Sequence, residues 1–335
     1  MFQWINDGLY AVLNWIQSWS GAWGIAIIIF TVMVRLALTP LDIKSRASMR
    51  KTQKLQPQLQ ALQKKYANDK EKLNAKTAEL YKKAHVNPLS SCLPLLLTWP
   101  ILIAVFGAMR TVANKQLLEQ VGQILNGQNP ATEQFLWIKN LWMPDNLFYT
   151  ALPNESTLRV ISTAEWQDWF SRLQGSNMPA LLADLNLTAE SFDKANLGAT
   201  VQAIIDAMKT VDFYAEGISP IPGYTIPLVN WSVPHLYNGF LLLPILSAVS
   251  QIAMTKLMGG NQAQPAVEGQ PNTGKFMQWF FPLFSMWICL GYSAAFALYW
   301  VAGNLVSMGQ TFVINKYLDK KDQMAAPLAG EGGVK

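Results

Sequence analysis

Arg35 is the residue whose surroundings most need a chemical explanation. It lies in an otherwise uncharged run from residue 25 to residue 38. A charge at the centre of such a helix costs about 2.5–3.5 kcal/mol when the helix enters lipid. The side chain could extend to the nearer interface, or it could line a water-filled cavity that hydrates the guanidinium. Both alternatives stay open from the residues alone.

Polar residues that could share a hydrated cavity with Arg35 recur on other apolar segments. Thr31 precedes it by one helical turn, and Ser247 and Gln251 fall on one face of a second segment. A third segment has four polar or aromatic residues at steps of four, three and four, namely Trp300, Asn304, Ser307 and Thr311. Such residues often serve only as hydrogen bonds between helices. Their occurrence together with a buried arginine favours a polar intramembrane site.

The elements that must position these residues are membrane spans. The chain has 335 residues, of which 51% are hydrophobic and 14% charged, whereas soluble domains have about 25% charged residues. A span needs about 20 apolar residues. We predict an all-α membrane protein with five transmembrane helices, at residues 21–42, 89–113, 236–258, 275–291 and 293–315.

The distribution of charge predicts the orientation of these spans. The segment 43–88 has twelve Lys and Arg residues and three acidic residues, whereas 114–235 has six basic and twelve acidic residues. Basic residues concentrate in cytoplasmic segments. The N-terminus is therefore predicted outside, and the loop 259–274 and the tail 316–335 are predicted in the cytoplasm.

The cytoplasmic segment 43–88 is predicted to form an antiparallel coiled-coil hairpin. Residues at steps of four, three and four form two arms, Leu55 to Tyr66 and Leu73 to Ala84. The second series is the weaker, because it includes the polar Thr77 and the small Ala84. Residues 67–69 offer a turn, and Pro57 should kink or restart the first arm. The lysines on its outer faces could be merely solvated, or they could bind anionic lipid or a docking partner.

Two extracytoplasmic parts are predicted outside the spans. Residues 1–20 have apolar residues at helical spacing and three tryptophans, which is typical of an amphipathic helix lying on a membrane surface. The insertion 114–235 contains helical patterns at 162–173, with a capping box of Ser162 and Glu165, and at 200–213. Four prolines after residue 219 indicate an extended return. We expect the insertion to be a packed cap rather than a ligand-binding domain.

The sequence contains no motif for catalysis, a cofactor or a metal. The two cysteines, Cys92 and Cys289, lie in apolar runs, and the two histidines, His85 and His235, lie on opposite sides of the predicted membrane. The net charge of +5 is not accompanied by a nucleic-acid-binding motif. We predict that the chain is not an enzyme, needs no cofactor and does not recognise nucleic acid directly.

Short motifs lie in and near the predicted spans, among them Leu38-Thr39-Pro40-Leu41 after Arg35 and Leu298-Tyr299-Trp300 in the last span. This pattern resembles the YidC family of membrane protein insertases, including its mitochondrial oxidase-assembly and chloroplast albino-type members. The resemblance covers residues 20–113 and 236–316. Its motif residues are Leu38-Thr39-Pro40-Leu41, Tyr81, Asn87-Pro88, Cys92-Leu93-Pro94, Pro100, Leu298-Tyr299-Trp300, Asn304, Ser307 and Gln310. Thr98, Ser90-Ser91 and the short tail depart from the family pattern.

The resemblance implies a hydrophilic groove that is open to the cytoplasm and binds nascent membrane proteins. By this resemblance its contact residues are Arg35, Gln251, Tyr299, Trp300 and Asn304. Thr31 and Ser307 are added to the predicted site because of their helical spacing. It implies insertion and folding of clients in a bacterial cell membrane, alone or with the Sec translocon. Ribosome docking is expected to be weak with so short a tail. The alternative is a transporter or channel in which Arg35 is an anion site, although the chain has no inverted repeat.

Overall fold

The computed structural model is mostly helical and describes residues 3–84, 93–173, 180–226, 231–257 and 273–325. The first helices are α1 (Gln3–Ser20), α2 (Trp23–Lys54), α3 (Gln56–Lys65), α4 (Lys70–Lys83) and α5 (Leu93–Leu125). Then come α6 (Glu155–Leu158), α7 (Thr163–Leu173), α8 (Ala180–Ala183), a 3-10 helix (Ala189–Phe192), α9 (Leu197–Met208) and α10 (Asp212–Ile218). The last elements are β1 (Pro220–Ile226), β2 (Trp231–Pro234), α11 (Leu242–Leu257), α12 (Thr273–Gly291) and α13 (Ala294–Ala325).

The chain divides into two compact units. The first unit consists of Met1–Phe30, Ala104–Val249 and Leu283–Val301, and the second of Thr31–Ile103, Ser250–Pro282 and Ala302–Lys335. The motif residues between 85 and 92, most of the predicted loop 259–274 and the tail beyond 325 lie outside the described residues.

Helix α2 is the one helix within the described ranges that is both long enough and apolar enough to cross a membrane. The predominantly helical fold was predicted, whereas the five-span topology stays a prediction. The structure adds a small antiparallel pair of strands, β1 and β2, where the prolines had indicated only an extended return. Proline lacks the backbone N–H that a helix interior needs, so this segment is more stable as edge strands.

In the first unit, α1 is amphipathic. Leu13 and Ile16 are buried, whereas Trp15 and Trp19 are more than half exposed. Helix α1 packs on α5 at Gly107, where an added Cβ would lie 2.4 Å from the side-chain nitrogen of Asn6. The location of this helix at the lipid–water boundary, where tryptophans are typical, stays a prediction.

The external segment builds its own hydrophobic core in the first unit. The end of α5 packs with α7, α9, α10 and the 3-10 helix around the buried side chains Leu118, Val121, Trp166, Trp169, Phe170, Phe192, Ile204, Met208 and Tyr214. Ser162 and Glu165 form the predicted capping box at the start of α7. The helix predicted at 200–213 is two helices, because Val211 has extended backbone and caps a new start at Asp212.

The predicted span 236–258 becomes helical only at Leu242. The preceding residues are held by non-local hydrogen bonds from Asn238, which is fully buried. Its amide nitrogen donates to the carbonyls of Asn140, Met143 and Pro144 at 2.8–3.0 Å, and its amide oxygen accepts from the Asn140 N–H at 2.7 Å. These bonds replace helical hydrogen bonds, so this stretch stays outside the helix.

Residues 140–146, which we call the bracket loop, bind the ends of three helices within the first unit. The buried carboxylate of Asp145 accepts the Leu243 N–H at 2.7 Å, at the start of α11. The carbonyl of Met143 accepts the Ala294 N–H at 2.9 Å, at the start of α13. The Asn146 amide donates to the Leu290 carbonyl at 3.3 Å, at the end of α12. Helix ends carry unpaired N–H and C=O groups, and the bracket loop satisfies them.

In the second unit, α2 and α13 continue as helices beyond their predicted spans. Arg46 donates to the Thr311 hydroxyl at 2.7 Å, and Arg50 lies 2.7 Å from the Asp319 carboxylate. One turn further, Lys54 forms an ion pair of 3.1 Å with Asp322. This charged seam explains why the beginning of the predicted tail is an ordered part of α13.

The second unit also contains a pair of packed helices, α3 and α4, at the position of the predicted hairpin. Leu55 interrupts the helix, and α3 restarts with Pro57 in its first turn, where proline is tolerated. Asp69 caps α4 by accepting the Lys72 N–H at 3.0 Å. These local signals were readable in the sequence.

Candidate functional site

The guanidinium of Arg35 lies against a glycine of α13, within the second unit. A Cβ added to Gly303 would lie 3.1 Å from Nη2, 3.5 Å from Nε and 3.7 Å from Cζ of Arg35. A glycine here therefore allows the charged group to lie close to the helix backbone. Arg35 is half-buried, so the apolar helix keeps its charge partly accessible.

Gln310 holds the backbone of α2 next to Arg35. Its amide nitrogen donates to the Arg35 carbonyl at 2.9 Å and to the Thr39 hydroxyl at 2.7 Å. The Thr39 hydroxyl itself donates to the Arg35 carbonyl at 3.1 Å. These bonds fix α2 and α13 at the level of the arginine. Gln310 belongs to the motif residues of the resemblance, but it was not among the predicted site residues.

The charge of Arg35 is not cancelled by a direct ion pair in the described part of the chain, where α2 forms its ion pairs with α13 at Arg50 and Lys54. Asp42, about two turns further along α2, attracts both Arg35 and Arg46. Sequence reasoning missed Asp42 because it lies at the end of the predicted span. A guanidinium with only a distant counter-charge remains available to an anionic group of a ligand.

The other predicted site residues of the second unit lie on α2, α11 and α13. The Asn304 amide donates to the Ser250 hydroxyl at 2.9 Å, and both residues are buried. Ser307 and Thr31 are also buried, whereas Gln251 is half-buried. The structure therefore places five predicted site residues in one unit, namely Arg35, Thr31, Gln251, Asn304 and Ser307. The hydrogen bond between Asn304 and Ser250 joins α13 to α11 in this unit.

The two predicted aromatic contacts, Tyr299 and Trp300, belong to the first unit. Tyr299 is buried, and the ring of Trp300 lies 5.8 Å from that of Phe296. The Trp300 indole N–H is buried and has no hydrogen-bond acceptor among the described residues. An unpaired buried donor costs stability, so a ligand or water that accepts from it would be favourable.

The polar residues are flanked by exposed apolar ones. Leu36 follows Arg35 directly and is 59% exposed, and Leu305 follows Asn304 and is 55% exposed. A protein that keeps large apolar side chains in contact with its surroundings is suited to lipid rather than water. The site thus combines a polar, cationic face with an apolar one on the same two helices.

The sequence also matches a known family. A family model described as "60Kd inner membrane protein" matches residues 15–181 and 178–321, which together are most of the chain. The chain belongs to this family, that of the YidC insertases. The two matched segments meet inside the external segment, at residues 178–181.

Individual relatives give the same result. The membrane protein insertase YidC of Fusobacterium nucleatum is 39% identical over 150 residues, which are 45% of this chain and 65% of the relative. YidC of Treponema denticola is 25% identical over 89% of this chain and 35% of the relative. ALBINO3-like protein 1, chloroplastic, of Arabidopsis thaliana is 27% identical over 88% of this chain and 44% of the relative.

These matches confirm the resemblance to the YidC family and with it a membrane protein. Insertases of this family are not enzymes, which confirms the prediction that the chain is not an enzyme. Each of these matches spans less than two thirds of the length of the relative.

Proposed function

We propose that the chain is a membrane protein insertase that receives nascent membrane proteins in a hydrophilic groove built around Arg35. The observation that carries this proposal is the guanidinium against Gly303, half-buried and without a direct ion pair among the described residues. Such a group attracts the polar or acidic end of a client that has to cross the membrane. It also explains the glycine, since a side chain at that position would crowd the charge.

In the proposed mechanism, the groove shortens the apolar distance that a polar tail has to cross. Water near Arg35, Gln251 and Asn304 solvates the tail, and the client's own apolar span then moves sideways into lipid past exposed residues such as Leu305. Burial of apolar surface supplies about 25 cal/mol per Å², so the step needs no nucleotide. Thr31, Ser307, Tyr299 and Trp300 are proposed as further groove contacts.

The proposed setting is a bacterial cell membrane crossed by five spans, with the N-terminus outside and the helix pair α3–α4 in the cytoplasm. The lysines of that pair would face anionic lipid headgroups or a docking partner. A role as a chaperone beside the Sec translocon uses the same groove.

Site-specific crosslinking tests the proposal. A photoreactive amino acid at Gln251 should capture a ribosome-bound chain with a single span. The matched controls are the same amino acid at Val249 and at Leu283, which are exposed apolar positions on α11 and α12. Capture at Gln251 that exceeds both controls supports a groove.

Equal capture at all three positions would contradict the groove. If no position captures the chain while an established insertase does so in parallel, the transporter alternative becomes the better account. Anion flux into proteoliposomes, with Arg35→Gln as the control, would then decide between the two functions.

A further inference from the structure

The first unit contains a cavity that the proposed insertase function does not use. It has a volume of about 350 Å³ and lies between α5, the bracket loop, α6 and the turn from α12 to α13. Sites for small molecules start at about 300 Å³. The cavity is therefore large enough for part of an organic ligand.

The lining of the cavity is amphipathic. Met109, Leu117 and Phe296 line it and are almost fully buried, whereas Arg110 and Ser156 line it and are exposed. The apolar part is thus enclosed by protein, and the polar part faces the surroundings. A ligand that fits has one apolar and one polar end.

Arg110 supplies a positive charge at the exposed part. Its guanidinium donates to the carbonyl of Val160, and it forms no ion pair with any acidic residue that the structure describes. Five N–H donors belong to a guanidinium, so several remain for a ligand. The nearby carboxylate of Glu165 is already bound by the Asn114 amide at 3.0 Å and by Ser162. The charge at the cavity therefore favours an anion.

The position of the cavity along the chain fits the outer boundary of the membrane. Phe106 lies near the outer end of the predicted span 89–113, and residues 291–293 form the turn between the predicted spans 275–291 and 293–315. At this level the surroundings change from lipid tails to headgroups. An amphiphile of the outer leaflet meets both ends of the cavity in its natural orientation.

We propose that this cavity binds an anionic phospholipid, with the phosphate of the headgroup at Arg110 and an acyl chain along Phe106, Met109 and Phe296. The bound lipid would fill space between the external segment and the α12–α13 turn. None of the residues that line the cavity belongs to the proposed groove contacts, and the test of this site does not depend on insertase activity.

The test uses the full chain in nanodiscs that contain a photoactivatable phosphatidylglycerol. One variant, Ala113→Leu, fills the cavity, because Ala113 lines it and is buried. A second variant, Arg110→Gln, removes the charge but keeps a polar side chain with N–H donors. Lys194→Gln removes a charge from an exposed position outside the cavity and is the matched control. Peptides that carry the label are identified by mass spectrometry.

We expect labelling of the α5 and α13 peptides around Phe106 and Phe296, reduced about tenfold by either variant and unchanged by the control. A photoactivatable phosphatidylcholine should label these peptides less, and Arg110→Gln should remove that difference. Labelling that is equal for all variants, or equal for both lipids, would overturn the proposal. Complete loss of labelling in the presence of millimolar inorganic phosphate would also overturn the proposal, because it would indicate a site for free phosphate. If Ala113→Leu fails to fold, Arg110→Gln decides alone.

Discussion

Gly303 offers the sharpest test of how the charge of Arg35 is positioned. An added Cβ would lie 3.1 Å from Nη2 of Arg35, so Gly303→Ala requires a shift of only a few tenths of an ångström by the end of a long side chain. Gly303→Leu is more severe, because its side chain takes the place of the guanidinium. The guanidinium then has to move by about one contact distance, about 3.5 Å.

The magnitude follows from Coulomb's law. With an effective dielectric constant of about 20, a client carboxylate about 6 Å from Arg35 is attracted by about 2.8 kcal/mol, and at about 9.5 Å by about 1.7 kcal/mol. Gly303→Leu should therefore reduce insertion of a client with one acidic residue in its translocated tail by about fivefold. Gly303→Ala should have little effect, and Arg35→Gln should reduce insertion by about a hundredfold.

The assay is protection of the client's translocated tail from protease in proteoliposomes, with Asp or Asn at one position of the tail. Gly309→Leu is the matched control, since a Cβ at Gly309 would have no atom within 4 Å. If both leucine variants lower insertion of the Asp and Asn clients alike, the charge of Arg35 does not act by attraction, and the reasoning is refuted.

Three further predictions concern stability. Asn238→Ala removes four hydrogen bonds of a fully buried side chain and should cost about 3 kcal/mol or more; thermal unfolding should show a large loss there and none for the exposed Asn14→Ala. Gln310→Leu removes two hydrogen bonds to α2 and should cost about 1–2 kcal/mol in denaturant unfolding; unchanged stability would mean that these bonds do not hold α2 to α13. Hydrogen bonds from Lys76 and Lys83, and their charges, lower the pKa of Glu79 from 4.5 to about 2. The stabilisation of α4 by ionised Glu79 is therefore complete above pH 4.5 and is lost as the pH falls toward 2. Circular dichroism should show this loss of helicity between pH 4.5 and 2 in the unaltered chain, and Glu79→Gln should abolish the pH dependence.

The sequence predicted two kinds of feature. One kind depends on the backbone preferences of neighbouring residues, and the other on a large free-energy cost such as that of a charge in lipid. A charge in an apolar run is costly in any fold, so Arg35 was identifiable from its surroundings alone. The restart of α3 at Pro57 and the start of α4 after Asp69 follow from the backbone preferences of these residues. The family resemblance rested on spaced motif residues, and the family match confirms it.

Features that depend on distant partners could not be predicted. Asn140 and Asn238 are almost a hundred residues apart, and each is an ordinary polar residue in its own segment. Their pairing keeps residues 236–241 out of α11, although that stretch was predicted to be part of a span. The role of Gly303 also depends on a distant partner, because it becomes visible only when α13 lies against Arg35.

The attachment of the external segment has a consequence for how the chain tolerates change in length. Thr150 and Tyr237 form a β-bridge, and the Ala151 N–H donates to the Leu236 carbonyl at 2.7 Å. The chain therefore enters and leaves the roughly 85-residue segment between these residues at adjacent positions. Replacing the intervening residues by a tight turn would therefore leave the pairing of residues 150–151 with residues 236–237 in place.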